Sequence, residues 1–254
     1  MHIRDPIHGA IELTADERAL IDSPQYQRLR NVKQLGFADL AFPGATHTRY
    51  AHGLGAMAMA TKVFDAPSVS AGTVERFDFD ASPVGAPPAG MQTYRGTWAV
   101  RAEPDAPSAP NALCQTGNAE FPALALSGMV YRDVVISAKV KAISGREDQA
   151  AGLLARIQNG DNYYIGRANA LENNVRLYRY TGGSRQQLSS GDGALTAGRW
   201  QELRLEVTGS ALRLFLDGKL ITLTTDETFT AGRMGLWTKA DSTTCFDDVT
   251  ITAK

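Results

Sequence analysis

The spacing of apolar residues along the chain is helical at first and changes later to a strand pattern. In the run 26–35, apolar residues recur at three-residue steps, as on one face of a helix. Ser23 suits the cap of this helix and Pro24 its first turn, and Gly36 ends the run. The pattern predicts a helix of about three turns here. A second helix is predicted over 46–64, although two glycines weaken its propensity.

From Thr73 onward, apolar and polar residues alternate with a period of two, which is typical of strands. Turns rich in glycine, asparagine and aspartate separate the predicted strands. The clearest strands are 134–142, 152–158, 163–168, 175–180, 202–207, 212–216 and 245–251. Many short antiparallel strands of this kind form a two-sheet sandwich, so the fold class is predicted to be mainly β, preceded by a short α-helical segment. The helical segment, a linker and the sandwich are predicted at 1–65, 66–72 and 73–254.

Composition narrows the classes of partner. The 254 residues are 43% hydrophobic and 21% charged, which is ordinary for a globular protein. A formal net charge of -1 provides no general basic surface, so nucleic acid is not expected as a partner. No window approaches the ~18 uninterrupted apolar residues of a membrane span. The first residues lack the apolar core of a signal peptide, so the chain as written is expected in the cytoplasm.

The two cysteines, Cys114 and Cys245, are too few for a disulfide framework, and neither lies in a CxxC motif. Buried free thiols are the favoured prediction. A single disulfide stays open if the chain meets an oxidising compartment.

All four histidines lie at or before His52. The N-terminal runs that carry a family signature are 3–9, 22–30, 33–36 and 43–52. Together they resemble the start of HD-domain phosphohydrolases related to deoxynucleoside triphosphate triphosphohydrolases. The resemblance implies that His52 matches the first metal ligand of such a site. It also implies that Arg49 matches a phosphate-binding arginine and Gln34 a nucleoside contact.

The rest of that metal site is missing from the sequence. By resemblance, an HD site also needs a His-Asp dipeptide and a later aspartate, and no His-Asp dipeptide occurs here. Hydrolytic metal sites take three or more protein ligands, so a lone imidazole is not enough. The segment is therefore predicted to be an incomplete HD remnant. A metal-dependent nucleotide phosphohydrolase stays as an alternative function.

The second part of the chain carries a separate resemblance, in the runs 147–152, 161–169, 171–176, 216–219, 235–241 and 246–249. These runs are similar to concanavalin A-like lectin/glucanase jelly rolls of the laminin-G-like kind. The resemblance implies an antiparallel two-sheet jelly-roll sandwich of a kind usually found in exported proteins. That architecture serves sugar binding, adhesion and glycoside cleavage alike. The Glu-x-Asp-x-x-Glu motif of the glucanases is absent, so no catalytic residue is predicted.

Sugar binding needs aromatic faces for stacking and a few planar polar groups for hydroxyls. The segment 162–180 is rich in both. The candidate ligand-binding residues are Tyr164, Arg167, Asn169, Glu172, Asn174, Arg176 and Tyr178. The predicted function is therefore non-catalytic recognition of a glycan or another polar polymer. Two alternatives remain: ordinary cross-strand pairs on a solvent-facing sheet, and a structural or adhesive module without a small ligand.

Calcium is the one cofactor that the sequence suggests. The suggestion depends on the pairing of the first and last strands, which is common in such sandwiches. That pairing would bring four aspartates near one another: Asp78, Asp80, Asp247 and Asp248. Calcium takes six to eight oxygen ligands, which aspartates and backbone carbonyls can supply. The pattern predicts no oligomeric state.

Overall fold

A computed structural model describes residues 2–5, 9–13, 15–35, 46–64 and 69–254. The chain forms two compact units, residues 1–66 and 67–254. The predicted helix end at Gly36 and the predicted linker residues 66–68 lie outside the described residues.

The first unit contains two short strands and three α-helices among its described residues: β1 (His2–Asp5), β2 (Gly9–Glu12), α1 (Ala15–Ile21), α2 (Pro24–Gln27) and α3 (Arg49–Phe64). Strands β1 and β2 pair in an antiparallel hairpin. A small apolar core unites the hairpin with α1 and α3 through Ile11, Ile21, Tyr50, Leu54 and Ala58. The predicted second helix is confirmed as α3.

The predicted helix after Ser23 begins as expected but is shorter than three turns. The Ser23 hydroxyl accepts a hydrogen bond from the Tyr26 backbone N–H, and Pro24 occupies the first turn. After Gln27 the backbone tightens into a 3₁₀ turn over Arg28–Asn31. Val32 is then extended, because its carbonyl accepts from the Arg49 N–H at 2.8 Å. Pairing with the start of α3 therefore ends the helix early.

The second unit is a sandwich of two antiparallel sheets. Its strands are β3 (Val74–Phe77), β4 (Gln92–Arg95), β5 (Trp98–Ala102), β6 (Asn111–Gln115), β7 (Ala123–Ala125), β8 (Val134–Ser144), β9 (Ala150–Asn159), β10 (Asn162–Asn169), β11 (Asn174–Thr181), β12 (Ser184–Asp192), β13 (Gln201–Thr208), β14 (Ala211–Leu216), β15 (Lys219–Thr225), β16 (Arg233–Trp237) and β17 (Thr243–Ala253). The seven-stranded sheet has the order β12-β11-β10-β9-β16-β7-β4. The eight-stranded sheet has the order β15-β14-β13-β8-β17-β6-β5, with β3 also paired to β17.

Every strand predicted from alternation is confirmed, as β8, β9, β10, β11, β13, β14 and β17. The main core lies between the two sheets, where strands such as β8 bury alternate residues. The central strands β9 and β10 differ, because they bury residues on both faces. Alternation therefore predicts that these strands exist but does not predict that their second face is covered.

The prediction of free thiols was wrong. Cys114 on β6 and Cys245 on β17 form a disulfide. They are direct partners in the ladder between these neighbouring strands, although 131 positions separate them in sequence. Both cysteines are buried, as expected. The register of β6 on β17 brings the sulfur atoms together, and the sequence pattern contains no information about that register.

Residues 69–72 belong to the sandwich and not to a linker. The Val69 N–H donates to the Val130 carbonyl, and the Gly72 N–H donates to the Ala253 carbonyl, both at 3.0 Å. The Val69 side chain also packs against the main core. Among the described residues, no helix has the length and apolar character needed to cross a membrane.

Candidate functional site

The seven-stranded sheet has a second buried layer on the side that faces away from the eight-stranded sheet. In the ladder, Trp237 pairs with Gly152, Gly152 with Arg167, and Arg167 with Arg176. Paired residues on neighbouring strands point to the same side, so this row lies on one face. A nearby row contains Tyr163, Tyr180 and Arg185 in the same way. We call this surface the outer face: Phe121, Tyr163, Arg167, Arg176, Tyr178, Tyr180, Arg185 and Trp237.

Aromatic rings cover the middle of the outer face. The rings of Tyr163 and Tyr180 stack at 4.9 Å between centroids. Phe121 stacks on Trp237 at 6.0 Å and meets Tyr180 edge-on at 5.4 Å. Together they form a continuous apolar platform.

Gly152 leaves room for the Trp237 indole, which packs directly against it. A Cβ atom at this position would come within 2.9 Å of Trp237 Cε3. Real side chains do not approach so closely, so a larger residue would push the indole away. The absence of a side chain at Gly152 therefore allows Trp237 to pack on the outer face of β9.

Next to the aromatic platform, two guanidinium groups share one carboxylate. Arg167 Nη2 donates to Glu172 Oε2 at 3.0 Å, and Arg176 Nη1 donates to the same oxygen at 3.0 Å. Arg167 Nη2 also donates to the Asn174 side-chain carbonyl. The hydrogen bond from Arg167 lowers the pKa of Glu172 to about 2, although partial burial opposes this shift. Glu172 is therefore a fixed anion at neutral pH.

A second acidic group lies at the same end of the sheet. Asp148 is fully buried, forms an ion pair with Lys239 and accepts a hydrogen bond from the Asn169 side-chain amide. Its loop is fixed by the Asp241 carboxylate, which accepts from the backbone N–H groups of residues 146, 147 and 148. Lys239 thus balances the charge of the Asp148 carboxylate, and the hydrogen bonds to Asp241 fix the backbone that carries it.

Arg185 comes from the edge strand β12 and lies across the aromatic platform. Its guanidinium carbon is 4.5 Å from the Tyr178 ring centroid, 4.9 Å from Phe121 and 5.8 Å from Trp237. These distances are those of cation–π contacts. Burial lowers the pKa of Arg185, and the like charge of Arg167 adds to this effect.

The outer face contains polar atoms that are buried and lack hydrogen bonds. They are Tyr163 Oη, Arg167 Nε and Nη1, Arg185 Nη1 and Trp237 Nε1. Burial raises the pKa of Tyr163, and the nearby Trp237 N–H partly opposes this shift. The two groups nevertheless do not reach hydrogen-bond geometry. Native proteins pair nearly all buried polar atoms, because each unpaired one costs roughly 1–3 kcal/mol. Because these unpaired atoms are concentrated on the outer face, this face is the candidate site among the described residues.

The structure brings together most of the residues predicted for ligand binding. On the outer face, or at its polar end, lie Arg167, Asn169, Glu172, Asn174, Arg176 and Tyr178. Their binding role stays a prediction. Tyr164 points the opposite way into the main core, where its hydroxyl donates to Asp226 Oδ1 at 2.6 Å and accepts from the Phe229 N–H at 3.0 Å. Strand alternation separates Tyr164 from Arg167, so it does not belong to this group.

The sequence interpretation missed Phe121, Tyr163, Arg185 and Trp237. Tyr163 shares its face with Arg167 by simple alternation, so that signal was available. Trp237 is fully buried in the layer of the outer face, and its place there depends on how β16 pairs with β9. Arg185 lies on a polar strand without an apolar pattern. Its position depends on how β12 pairs with β11.

A polar cavity of about 330 Å³ lies at the end of β11 and β12, lined by Arg179, Thr181, Ser184, Gln186 and Thr228. Arg179 donates to Asp226, Thr228 and Gln186 at 2.6–2.7 Å. Its guanidinium is thus well supplied with partners inside the protein. This cavity contains none of the unpaired buried atoms found on the outer face.

The four aspartates suggested for calcium do not converge. Strand β3 does pair with β17, as expected. However, the Asp247 carboxylate is buried and accepts from the Ser108 N–H, the Ser108 hydroxyl and the Asp248 N–H at 2.8–2.9 Å. Burial raises the pKa of Asp247. Among the described residues, no three carboxylates of this set meet within 4.8 Å, so calcium binding stays a prediction without geometric support.

In the N-terminal unit, the residues matched to the HD family come close together. The Gln34 N–H donates to the His47 carbonyl at 3.2 Å, which places Gln34 beside the start of α3. Arg49 and His52 are exposed on that helix. In the described part of the chain, no group of three ligating side chains includes His52. These donors do not fit a hydrolytic metal, which takes at least three protein ligands.

Comparisons with known proteins agree with both resemblances. No family model matches the chain. Human deoxynucleoside triphosphate triphosphohydrolase SAMHD1 is 57% identical over 53 residues, which are 21% of this chain and 8% of that protein. The protein MJ1154 from Methanocaldococcus jannaschii is 51% identical over 61 residues, 24% of this chain and 14% of that protein. The chain therefore covers only a small part of these relatives, and the HD resemblance is confined to a short stretch.

The solved structures that match share the sandwich. A carbohydrate binding module, CBM66 from Bacillus subtilis, aligns with a TM-score of 0.57 and 20% identity over 67% of this chain and 100% of that module. A sialidase aligns with a TM-score of 0.50 and 11% identity over 74% of this chain and 19% of that enzyme. At these identities the likeness establishes the fold. The predicted antiparallel two-sheet jelly-roll sandwich is confirmed.

Proposed function

We propose that the outer face of the seven-stranded sheet binds a glycan. The observation that carries this proposal is the set of buried, unpaired polar atoms beside an aromatic platform. A sugar matches these atoms, since its hydroxyls both donate and accept hydrogen bonds. The shared fold with a carbohydrate binding module supports the same proposal.

The contacts of such a ligand follow from the groups that lack partners. Arg167 Nε and Nη1 would donate to ligand oxygens, and the Trp237 N–H would do the same from β16, which lies on the other side of β9. Glu172 and Arg176 form the open rim, with 34% and 30% of their side chains exposed. A ligand would therefore enter over this rim and reach the buried donors behind it.

Recognition without cleavage is the activity we propose for this face. Glycoside hydrolysis needs two carboxyl groups beside the bond, one of them with a raised pKa to act as the acid. Glu172 has the opposite shift, since its pKa is lowered by Arg167. Asp148 is held in an ion pair with Lys239. Glu172 is therefore not prepared to donate a proton to a leaving group.

The test is a glycan array with the intact chain, followed by calorimetric titration of each glycan that binds. The informative variant is Arg176→Gln, which removes a guanidinium at the rim. Arg204→Gln is the matched control on the other sheet: Arg204 is 29% exposed, pairs with Glu206 and lies over Phe215, as Arg176 pairs with Glu172 beside Tyr178.

We expect Arg176→Gln to weaken binding about tenfold, the effect of losing one charge-assisted hydrogen bond, and Arg204→Gln to leave affinity unchanged. If both variants behave alike, the glycan binds elsewhere. If no glycan binds at all, the proposal is wrong and a structural or adhesive role takes its place. Nucleotide hydrolysis is not proposed, because among the described residues no group of three ligating side chains includes His52.

A further inference from the structure

The outer face has more positive charge than its own acidic groups neutralise. Arg167 and Arg176 share the single Glu172 carboxylate, through one oxygen atom. Asp148 is occupied by Lys239. Arg185 forms no salt bridge with any residue in the described part of the chain; its guanidinium contacts aromatic rings instead. Three guanidinium groups therefore face one available carboxylate.

The unpaired donors belong largely to the same cations. Two are on Arg167 (Nε and Nη1) and one is on Arg185 (Nη1), and all three atoms are buried. The two guanidinium groups lie near one ring, since their carbon atoms are 5.7 Å and 4.5 Å from the Tyr178 centroid. Guanidinium nitrogens donate and never accept, so only an acceptor can satisfy them.

We propose that the bound glycan carries a carboxylate, and that Arg167 and Arg185 together bind this group. This inference rests on the proposed glycan-binding function and adds the class of ligand to it. A neutral hydroxyl would satisfy a hydrogen bond but would leave two like charges buried side by side. An anion accepts hydrogen bonds from both guanidinium groups and also offsets their positive charge. Its oxygens match the planar fork of a guanidinium.

The fold also explains how the anion would reach this place. Arg185 comes from the edge strand β12 and is half-buried, whereas Arg167 is fully buried at the centre of the sheet. The Arg185 guanidinium contacts rings and forms no salt bridge in the described part of the chain, so a shift toward a ligand would break no ion pair. Burial beside Arg167 already disfavours its charge, and an anion between the two groups would remove that repulsion.

The experiment compares acidic glycans with their own methyl esters, which keep the shape and lose the charge. Galacturonate, glucuronate and N-acetylneuraminate oligosaccharides and their esters are titrated calorimetrically into the intact chain at low and high salt. Two variants accompany the wild type. Arg185→Gln removes the proposed contact, and Arg213→Gln removes an exposed arginine on β14 of the other sheet as a control for net charge.

We expect an acidic glycan to bind, its ester to bind at least about tenfold more weakly, and Arg185→Gln to lose a similar factor while Arg213→Gln loses none. Equal binding of acid and ester in the wild type overturns the inference without requiring any variant to fold. Binding of neutral glycans alone also overturns it, yet leaves the proposed function intact. If no glycan of either kind binds, both proposals are wrong.

Discussion

Both faces of the seven-stranded sheet contain fully buried side chains, but the two faces differ in how their polar groups are hydrogen-bonded. Tyr163 and Tyr164 are adjacent, and neither side chain is exposed. On the inner face, the Tyr164 hydroxyl bonds to Asp226 and to the Phe229 N–H. On the outer face, the Tyr163 hydroxyl has no hydrogen bond. Burial alone thus does not distinguish a core from a site, whereas hydrogen bonding does.

Arg156 and Arg167 differ in the same way, since both are buried but only Arg156 has an acceptor for each of its guanidinium nitrogens. Arg156 is almost fully buried, and its guanidinium donates to the carbonyls of Arg132 and Phe229 at 2.7–3.1 Å. Arg167 is fully buried too, but two of its nitrogens have no acceptor. Arg156 stabilises the fold as it stands. The two Arg167 nitrogens have no acceptor among the described residues, and the proposed function therefore assigns them to a ligand.

The largest expected effect concerns the apolar inner face. Leu153 on β9 is fully buried in the main core, so Leu153→Ala should lower the free energy of unfolding by about 2–5 kcal/mol. Leu223→Ala is the control, because Leu223 is 57% exposed, and it should change stability by less than about 0.5 kcal/mol. Urea denaturation measures both. A small loss for Leu153→Ala would show that this face is not the centre of the core.

The next effect concerns the glycine beneath the indole on the outer face. Gly152→Ala places a Cβ atom against Trp237, which should destabilise the fold by about 1–3 kcal/mol and also displace the ring. Glycan affinity measured on the folded variant should therefore fall. Gly128→Ala is the control, since nothing lies within 4 Å of a Cβ at that loop position. If Gly152→Ala binds the glycan with unchanged affinity, Trp237 is not part of the binding site.

The two adjacent tyrosines provide a matched pair of smaller effects. Tyr164→Phe removes the hydroxyl that donates to Asp226 and leaves the Phe229 N–H without its acceptor, so it should cost about 1–3 kcal/mol. Tyr163→Phe removes a hydroxyl that has no hydrogen bond, so stability should stay within about 0.5 kcal/mol or rise. Thermal unfolding of both variants tests the comparison. Equal losses would show that the Tyr163 hydroxyl has a partner after all.

The smallest effect is a pH dependence at the rim of the outer face. Folding lowers the pKa of Glu172 from 4.5 to about 2, so its stabilising contribution is complete above pH 4.5 and is lost as the pH falls toward 2. The side chain is 34% exposed, so solvent screening keeps this contribution below about 1 kcal/mol. Glu172→Gln should flatten the stability profile in that window. An identical profile in the variant would show that Glu172 is not held by the arginines.

Sequence patterns could predict the strands of the sandwich because alternation follows directly from burial of one face. The same patterns grouped Arg167 with Glu172 and Arg176, since these residues are close in sequence. They could not predict which residues of distant strands become neighbours. The disulfide between Cys114 and Cys245, the position of Arg185 and the failure of the aspartates to converge all depend on register and loop paths.

The most direct test of the outer face follows the indole N–H groups by nuclear magnetic resonance. The three tryptophans give separate signals: Trp98 donates to the Arg95 carbonyl at 2.9 Å, whereas Trp200 and Trp237 are unpaired. On titration with a glycan selected from the array, the account predicts a shift of the Trp237 signal and constant signals for Trp98 and Trp200. A glycan that binds while the Trp237 signal stays unchanged would contradict the proposed site.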